Sequence, residues 1–308
     1  MFKLVKKLAL IALPIVIYFG IFIYFEPYNY FNLRHDEYVD DSAIVRVRRY
    51  SHEPSDIVVL GDSRMAHFDT ALASRYAGED VKMLSFGGAS LNESMDLLEF
   101  AIETNPDLHT VYFGVSFYTL NENYYKDRMS HIKTIATNPF AYMLNFNYNI
   151  EMLNEIKFAL MGIKNVAEKD EGHWDESDYL NEDGTPRKYR KNLEEFAVNA
   201  IRPVCDGYIF DTRDMERYIE LMKLCQEKGI KTYTVLPPVD VSIKDLVIDY
   251  LDLSQYIFTF ISEVSPYTTV LNYEYPEEPI FTQDEFYDGL HLDVVKGLPG
   301  FTQMLFER

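Results

Sequence analysis

Short apolar runs that alternate with helix-like stretches restrict this chain to an α/β fold built on a mainly parallel sheet. Asp56-Ile57-Val58-Val59-Leu60 is the first run, and it enters the turn Gly61-Asp62-Ser63-Arg64 ahead of a helix from about Met65 to Tyr76. Val81 to Phe86 is the second, leading through Gly87-Gly88-Ala89-Ser90 into a helix from about Asn92 to Glu103. His109 to Phe113 is the third, preceded by the turn Asn105-Pro106-Asp107. A helix from Arg213 to Lys228, stopped by Gly229, leads to a fourth strand at Tyr233 to Leu236. Thr269 to Leu271 reads as a fifth strand, and a helix from about Val294 to Phe306 closes the domain.

About a hundred residues between the third and fourth strands do not keep this rhythm. A structureless loop of that length is improbable in a compact domain, so a mostly helical insertion is expected over about 118–209. It contains the single tryptophan, Trp174; a lid or partner surface and a solvated excursion without function are equal readings of it. The chain of 308 residues is long enough for one main domain with a sizeable core, here 56–308, and too short for two full ones.

Leu8 to Phe25 carries no charged side chain. As a helix it spans roughly 27 Å, close to the hydrocarbon thickness of a bilayer. No small-x-small cleavage site follows, so an uncleaved transmembrane anchor within 1–31 is preferred to a cleaved signal peptide. Lys3, Lys6 and Lys7 precede the run, while Glu26, Asp36, Glu37, Asp40 and Asp41 follow it, which predicts a cytoplasmic N-terminus and an extracytoplasmic domain. Residues 32–55 are then expected to be a polar stalk. A formal charge of −20 disfavours nucleic acid and anionic lipid surfaces as partners of the soluble part. Cys205 and Cys225 form one disulfide or remain two thiols, and neither has a neighbour at zinc-ligand spacing.

A serine in a glycine-started turn between a strand and a helix is where α/β folds expose nucleophiles, and Ser63 has that context. Gly-Asp-Ser is equally a good turn and helix cap. The second candidate piece is Asp288-Gly289-Leu290-His291, just before the last helix. A serine hydroxyl needs an imidazole base, and the base needs a carboxylate to hold its tautomer; Asp288 and His291 supply both from one loop. Arg64 and His67 lie beside Ser63 and are candidate substrate contacts, although a solvent-facing first turn is the preferred account of both. His35, His52, His109, His131 and His173 sit in no motif and are expected to be structural, whereas Tyr118, Tyr124 and Tyr125 are candidates for stacking on sugars.

With those residues in place, the chain resembles the SGNH or GDSL-like hydrolases over about Asp56 to Phe306, outside the insertion. The resemblance implies a flavodoxin-like three-layer α/β/α fold with a parallel sheet, preceded here by one transmembrane helix. Gly61-Asp62-Ser63 matches the first block, with Ser63 as nucleophile and its amide as an oxyanion donor. Gly88-Ala89-Ser90 matches the second block, Gly88 giving another donor and Gly87 being the competing alignment. Asp288-x-x-His291 matches the fifth. The third block departs: the family's Gly-x-Asn-Asp is here Gly114-Val115-Ser116-Phe117. Ser116 thus stands where the family places an oxyanion asparagine, with Asn121 or Asn123 as loop alternatives. Loss of one such donor costs about 3 kcal/mol of transition-state stabilisation.

The anchored layout is similar to DltD-like proteins of teichoic acid D-alanylation and to SGNH acetyltransferase-like proteins of exopolysaccharides. That branch implies serine-dependent transfer of an acyl group to a cell-envelope polymer, beside a multispanning membrane O-acyltransferase, without a metal or organic cofactor. Two alternatives use the same fold: a membrane-anchored carbohydrate or lipid esterase acting on acylated carbohydrate, and a non-catalytic subunit of an envelope-modification complex.

Overall fold

The computed structural model describes residues 2–31, 33, 42–162 and 192–308. The chain divides into two compact units, Met1–Asp40 with Ser130–Asp170, and Asp41–Met129 with Glu171–Arg308. The helices used below are, in chain order, α1 (Phe2–Phe25), α2 (Ala43–His52), α3 (Thr70–Ala77), α4 (Leu91–Thr104), α5 (Met129–Thr137), α6 (Pro139–Met143), α7 (Phe146–Leu160), α8 (Thr212–Glu227), α9 (Ser254–Val264) and α10 (Leu298–Phe306). The strands are β1 (Ile57–Leu60), β2 (Val81–Met83), β3 (Thr110–Gly114), β4 (Lys231–Leu236) and β5 (Thr269–Asn272).

The larger unit is an α/β structure with a five-stranded sheet in the order β2-β1-β3-β4-β5, every pairing parallel. β1 is buried along its whole length, which explains an uninterrupted Ile-Val-Val-Leu sequence where a half-exposed strand would alternate. Successive side chains of β3 point to opposite faces. Tyr112 stacks on Tyr233 at 4.8 Å and meets Phe306 of α10, whereas Phe113 packs edge-on against Tyr218 of α8, which meets Phe260 of α9. Helices therefore cover both faces. The winding direction reverses between β1 and β3, and the crevice at such a switch is where open α/β sheets bind ligands.

Local chemistry moves several boundaries. After Ser63 the chain makes only a 3-10 turn, Ser63–Met65, and α3 begins at Thr70 because Asp69 caps it, accepting from Leu72 N at 2.8 Å. β2 ends at Met83, although Leu84 N and Ser85 N still bond to Val59 O and Phe86 N to Gly61 O. The last helix starts at Leu298, since Asp293 holds the preceding turn by accepting from Val295 N and Lys296 N.

The expected stalk is corrected over its second half. Residues 43–52 form α2, with Ile44, Val47 and Tyr50 buried and Tyr50 against Phe100 of α4. Arg46 on the same helix is buried and donates to Met83 O and Ala66 O. A spacing of apolar residues at 44, 47 and 50 marks one helical face, a signal masked by the arginines between them. Residues 34–41 lie outside the described residues, as do His35, His173, Trp174 and the rest of 163–191. Cys205 and Cys225 are free buried thiols, and burial pushes both up to about 12, so neither is a reactive thiolate near neutral pH.

In the smaller unit, α1 is long and apolar enough to cross a membrane. Its C-terminal part carries α6 and α7: the Tyr18 hydroxyl donates to Met143 O at 2.7 Å, and Phe22 meets Tyr142 edge-on. Glu26 is buried and accepts from the Tyr142 hydroxyl and from the amides of Tyr28 and Phe31.

Two glycines let the Ser63 turn approach the sheet. Gly61 has φ +130, a conformation that L side chains rarely adopt, and a Cβ there would lie 3.1 Å from Gly114 Cα at the end of β3. A Cβ on Gly114 would lie 2.2 Å from Met65 Cγ and 3.2 Å from Leu60 O. Gly114→Ala is expected to cost about 1–3 kcal/mol through overpacking. In urea titrations of the detergent-solubilised chain the midpoint should fall with an unchanged slope; an unaltered midpoint would show that Met65 gives way freely.

Candidate active site

Ser63 opens the 3-10 turn at the carboxyl end of β1, and the Asp62 carboxylate caps that turn by accepting from Arg64 N at 3.0 Å. The loop bearing Asp288 and His291 is closed on itself by an antiparallel bridge between Phe286 and Leu292 and by Tyr287 N donating to His291 O. Gly289, at φ +91, makes the reversal, and its carbonyl accepts from Asp240 N at 2.9 Å. The Asp288 carboxylate in turn accepts from the amides of Leu290 and His291. One buried side chain thus shapes the loop and faces the imidazole that the loop presents.

The two segments, 228 residues apart in sequence, meet: His291 Nε2 is 2.7 Å from Ser63 Oγ. On the other side of the ring, His291 Nδ1 is 3.0 and 2.9 Å from the two Asp288 oxygens. An ionised carboxylate is acceptor-only, so it selects the tautomer with hydrogen on Nδ1 and leaves the Nε2 lone pair facing the serine hydroxyl. Burial works against the Asp288 carboxylate, but the hydrogen bonds from the His291 ring and from the loop amides outweigh it and hold its pKa below the ordinary value. Ser63 and His291 are half-buried while Asp288 is buried, leaving the Ser63 hydroxyl reachable and the Asp288 carboxylate dry. His67 is half-buried beside them, its ring centroid 6.2 Å from that of His291.

The two backbone amides expected as oxyanion donors have no acceptor among the described residues. Ser63 N–H belongs to a first helical turn, where amides lack intrahelical partners. Gly88, at φ +62, lies in the loop that Phe86 N ties to Gly61 O, and its carbonyl is held by Lys126 Nζ at 2.7 Å and Arg128 Nη2 at 3.0 Å.

Three expected site residues are placed elsewhere. Ser116 is buried, and its hydroxyl donates to Asp62 Oδ2 at 2.8 Å while accepting from Arg64 Nη1 at 3.0 Å. A carboxylate a few ångströms away takes its one proton, so Ser116 does not replace the family's asparagine as a donor. Asn121 is buried with its Oδ1 accepting from Asn123 N and Ile209 N, and its Nδ2 directed to Val204 O, so its side chain is engaged in pinning the 204–210 segment. Arg64 is neither a solvent-facing first turn nor a substrate contact. Its side chain is 1% exposed and pairs with Glu274, while Nη2 donates to Pro237 O and Pro238 O.

Around Arg64 lies a buried polar network that the sequence reading missed. Glu274 Oε1 accepts from Arg64 Nη1 and from Phe117 N, and Asp62 Oδ2 accepts from the Tyr118 hydroxyl at 2.5 Å. Tyr118 is consequently a buried donor rather than a sugar platform, and burial beside Asp62 drives its pKa well up. Residues following β1, β3, β4 and β5 are thereby bolted together beside the Ser63 turn. Burial pushes the Glu274 carboxyl up to about 7, against the pull of the Arg64 guanidinium and the Phe117 amide. The available signal was Glu274 two residues past the end of β5, where a charge near a strand end marks either a site or a buried partner.

A group with metal-ligand character, Asp56, Glu79 and His109, has its ligand atoms within 4.8 Å of one another. It lies at the amino end of the sheet, away from Ser63. Its members are engaged locally, His109 with Glu79 at 3.0 Å and Asp56 with Asn105 at 2.9 Å. No family model matches the chain, and no curated protein matches it.

Proposed function

We propose that this chain is an SGNH-type serine acyltransferase, anchored by α1 with its N-terminus in the cytoplasm, that acylates a cell-envelope polymer such as a polysaccharide or teichoic acid. The observation that carries the reading is the continuous Ser63–His291–Asp288 contact, with a half-buried hydroxyl at one end and a buried carboxylate at the other. The strand order is that of flavodoxin-like doubly wound sheets, and helices on both faces agree with a three-layer SGNH arrangement.

In the proposed reaction His291 Nε2 takes the Ser63 proton as Oγ attacks an ester or thioester carbonyl, and Asp288 stabilises the imidazolium that forms. The amides of Ser63 and Gly88 hold the oxyanion. With Ser116 committed to Asp62, the hole relies on backbone donors, which favours a reactive acyl donor over a stable amide. The imidazolium then returns the proton to the leaving oxygen or sulfur, and a sugar hydroxyl, deprotonated by the same imidazole, takes the acyl group from Ser63. Water in place of that hydroxyl gives the esterase alternative. A membrane-attached catalyst favours a membrane-proximal polymer as acceptor and a multispanning O-acyltransferase as the acyl source.

A fluorophosphonate probe tests for an activated serine. Wild type is expected to be labelled at Ser63 and Ser63→Ala to be unlabelled at equal folded concentration. An unlabelled wild type would leave the non-catalytic subunit as the better account.

A further inference from the structure

We propose that α6 and α7 lie in the outer leaflet of the membrane that α1 crosses, with lipid acyl chains covering their exposed apolar face. The inference rests on α1 spanning a bilayer and is independent of the Ser63 chemistry.

Scattered exposed leucines are ordinary on protein surfaces, but a contiguous apolar patch is not. Within one short segment Phe140, Leu144, Phe146, Leu153 and Leu160 are all exposed, Phe146 to 77% and Leu160 to 83%. On α7 the pattern is helical: Phe146, Ile150, Leu153 and Leu160 fall on one side at about 100° per residue. Lys157 shares that side, and its long stem allows the ammonium to reach the headgroups. Glu151 and Glu155 lie on the opposite side. A face of this kind, opposed by charge, is the pattern of helices that lie in a membrane interface.

Depth comes from the contacts with α1. Tyr18 bonds to Met143 O and lies 2.8 Å from Asn149 Oδ1, Phe19 meets Phe140 at 6.2 Å, and Phe22 meets Tyr142 at 5.4 Å. Tyr18 is seven residues before the end of α1, about 10 Å below it along the axis. Phe140 and its neighbours are therefore held alongside the apolar span and not beyond it, at a depth of about 5–10 Å typical of interfacial helices. From Leu10 through Ile17 the helix is exposed, so the same hydrocarbon that must surround this stretch reaches the α6–α7 face without interruption. Two polar groups in this layer are satisfied internally, as a low-dielectric medium favours: Asn145 caps α7 through Asn147 N and Tyr148 N, and Glu26 is enclosed by Tyr142, Tyr28 and Phe31.

The test uses the full chain in phosphatidylcholine nanodiscs, with nitroxide labels on Leu144→Cys, Leu153→Cys, Glu151→Cys and Leu10→Cys. These positions avoid the buried core, and the native Cys205 and Cys225 are buried. Power saturation with oxygen and nickel-EDDA reads depth. The oxygen-to-nickel accessibility ratio at 144 and 153 is expected to exceed that at 151 severalfold and to approach that at 10. Nickel access at 144 and 153 with oxygen preference at 10 would overturn the inference alone. Protection from both reagents there would assign the face to a protein partner or a second copy and also overturn it. Nickel access at 10 would remove the membrane reading of α1, and this inference with it.

Discussion

Replacing His291 with Ala is expected to lower kcat for a p-nitrophenyl ester by about 10⁶-fold, with the thermal transition nearly unchanged. The imidazole is the only base within hydrogen-bond reach of Ser63 Oγ among the described residues, and without it the hydroxyl must lose its proton to water. Asp288→Asn should cost less, about 10⁴-fold, because the amide stabilises the other tautomer and turns hydrogen toward the serine. The three residues act as a unit, so Ser63→Ala combined with His291→Ala should be no slower than either single variant. Multiplicative losses, or single variants within tenfold of wild type, would show that these contacts are structural. In Asp288→Asn the side-chain oxygen can still accept from the Leu290 and His291 amides, so the loop should hold while the amide NH2 takes the place of the oxygen that faces the His291 ring.

Arg64→Met is expected to destabilise the fold by about 3–5 kcal/mol near neutral pH, because the buried Glu274 carboxyl loses its partner and must either take up a proton or stay charged and uncompensated. It also strips a donor from Pro237 O, Pro238 O and the Ser116 hydroxyl. The loss should depend on pH with a definite sign. Glu274 already titrates near 7 in the folded chain against an ordinary 4.5, and Arg64 pulls that value down. Removing Arg64 raises it further, so across mildly acidic to neutral pH the folded state keeps a proton that the unfolded state has released. Stability of the variant therefore falls as pH rises through this window, and its deficit at pH 5 should be smaller than at pH 8. Arg64→Lys retains the charge but not the forked donor set, and should fall between wild type and the Met variant. A deficit under about 1 kcal/mol, or one indifferent to pH, would mean that solvent reaches the pair.

The catalytic candidates were legible because each is contained in a few contiguous residues. Gly61-Asp62-Ser63 builds its own turn, and Asp288 reaches His291 across a single loop, so local geometry carries the chemistry. The central strands β1 and β3 were legible for a similar reason: a buried parallel strand must be apolar on both faces, and such runs stand out between polar helices. Ser116 and Arg64 were misjudged because their roles depend on what lies across the fold. Ser116 occupies the block position of an oxyanion donor, yet its proton is claimed by Asp62. Arg64 follows a half-buried serine in sequence, yet turns inward to a carboxylate 210 residues away. α2 was read as a stalk because three arginines interrupt its apolar face, one of which is itself buried on backbone carbonyls.

The amino-acid sequence by itself determined the strand runs, the membrane-length helix and the two short motifs, since each is written in nearest-neighbour periodicity or turn chemistry. Only the tertiary structure decided that the motifs touch, and that Arg64, Glu274, Asp62 and Ser116 form the support beneath them. Buried polar groups choose partners by competition among whatever the fold brings within hydrogen-bond distance, and that competition has no local signature.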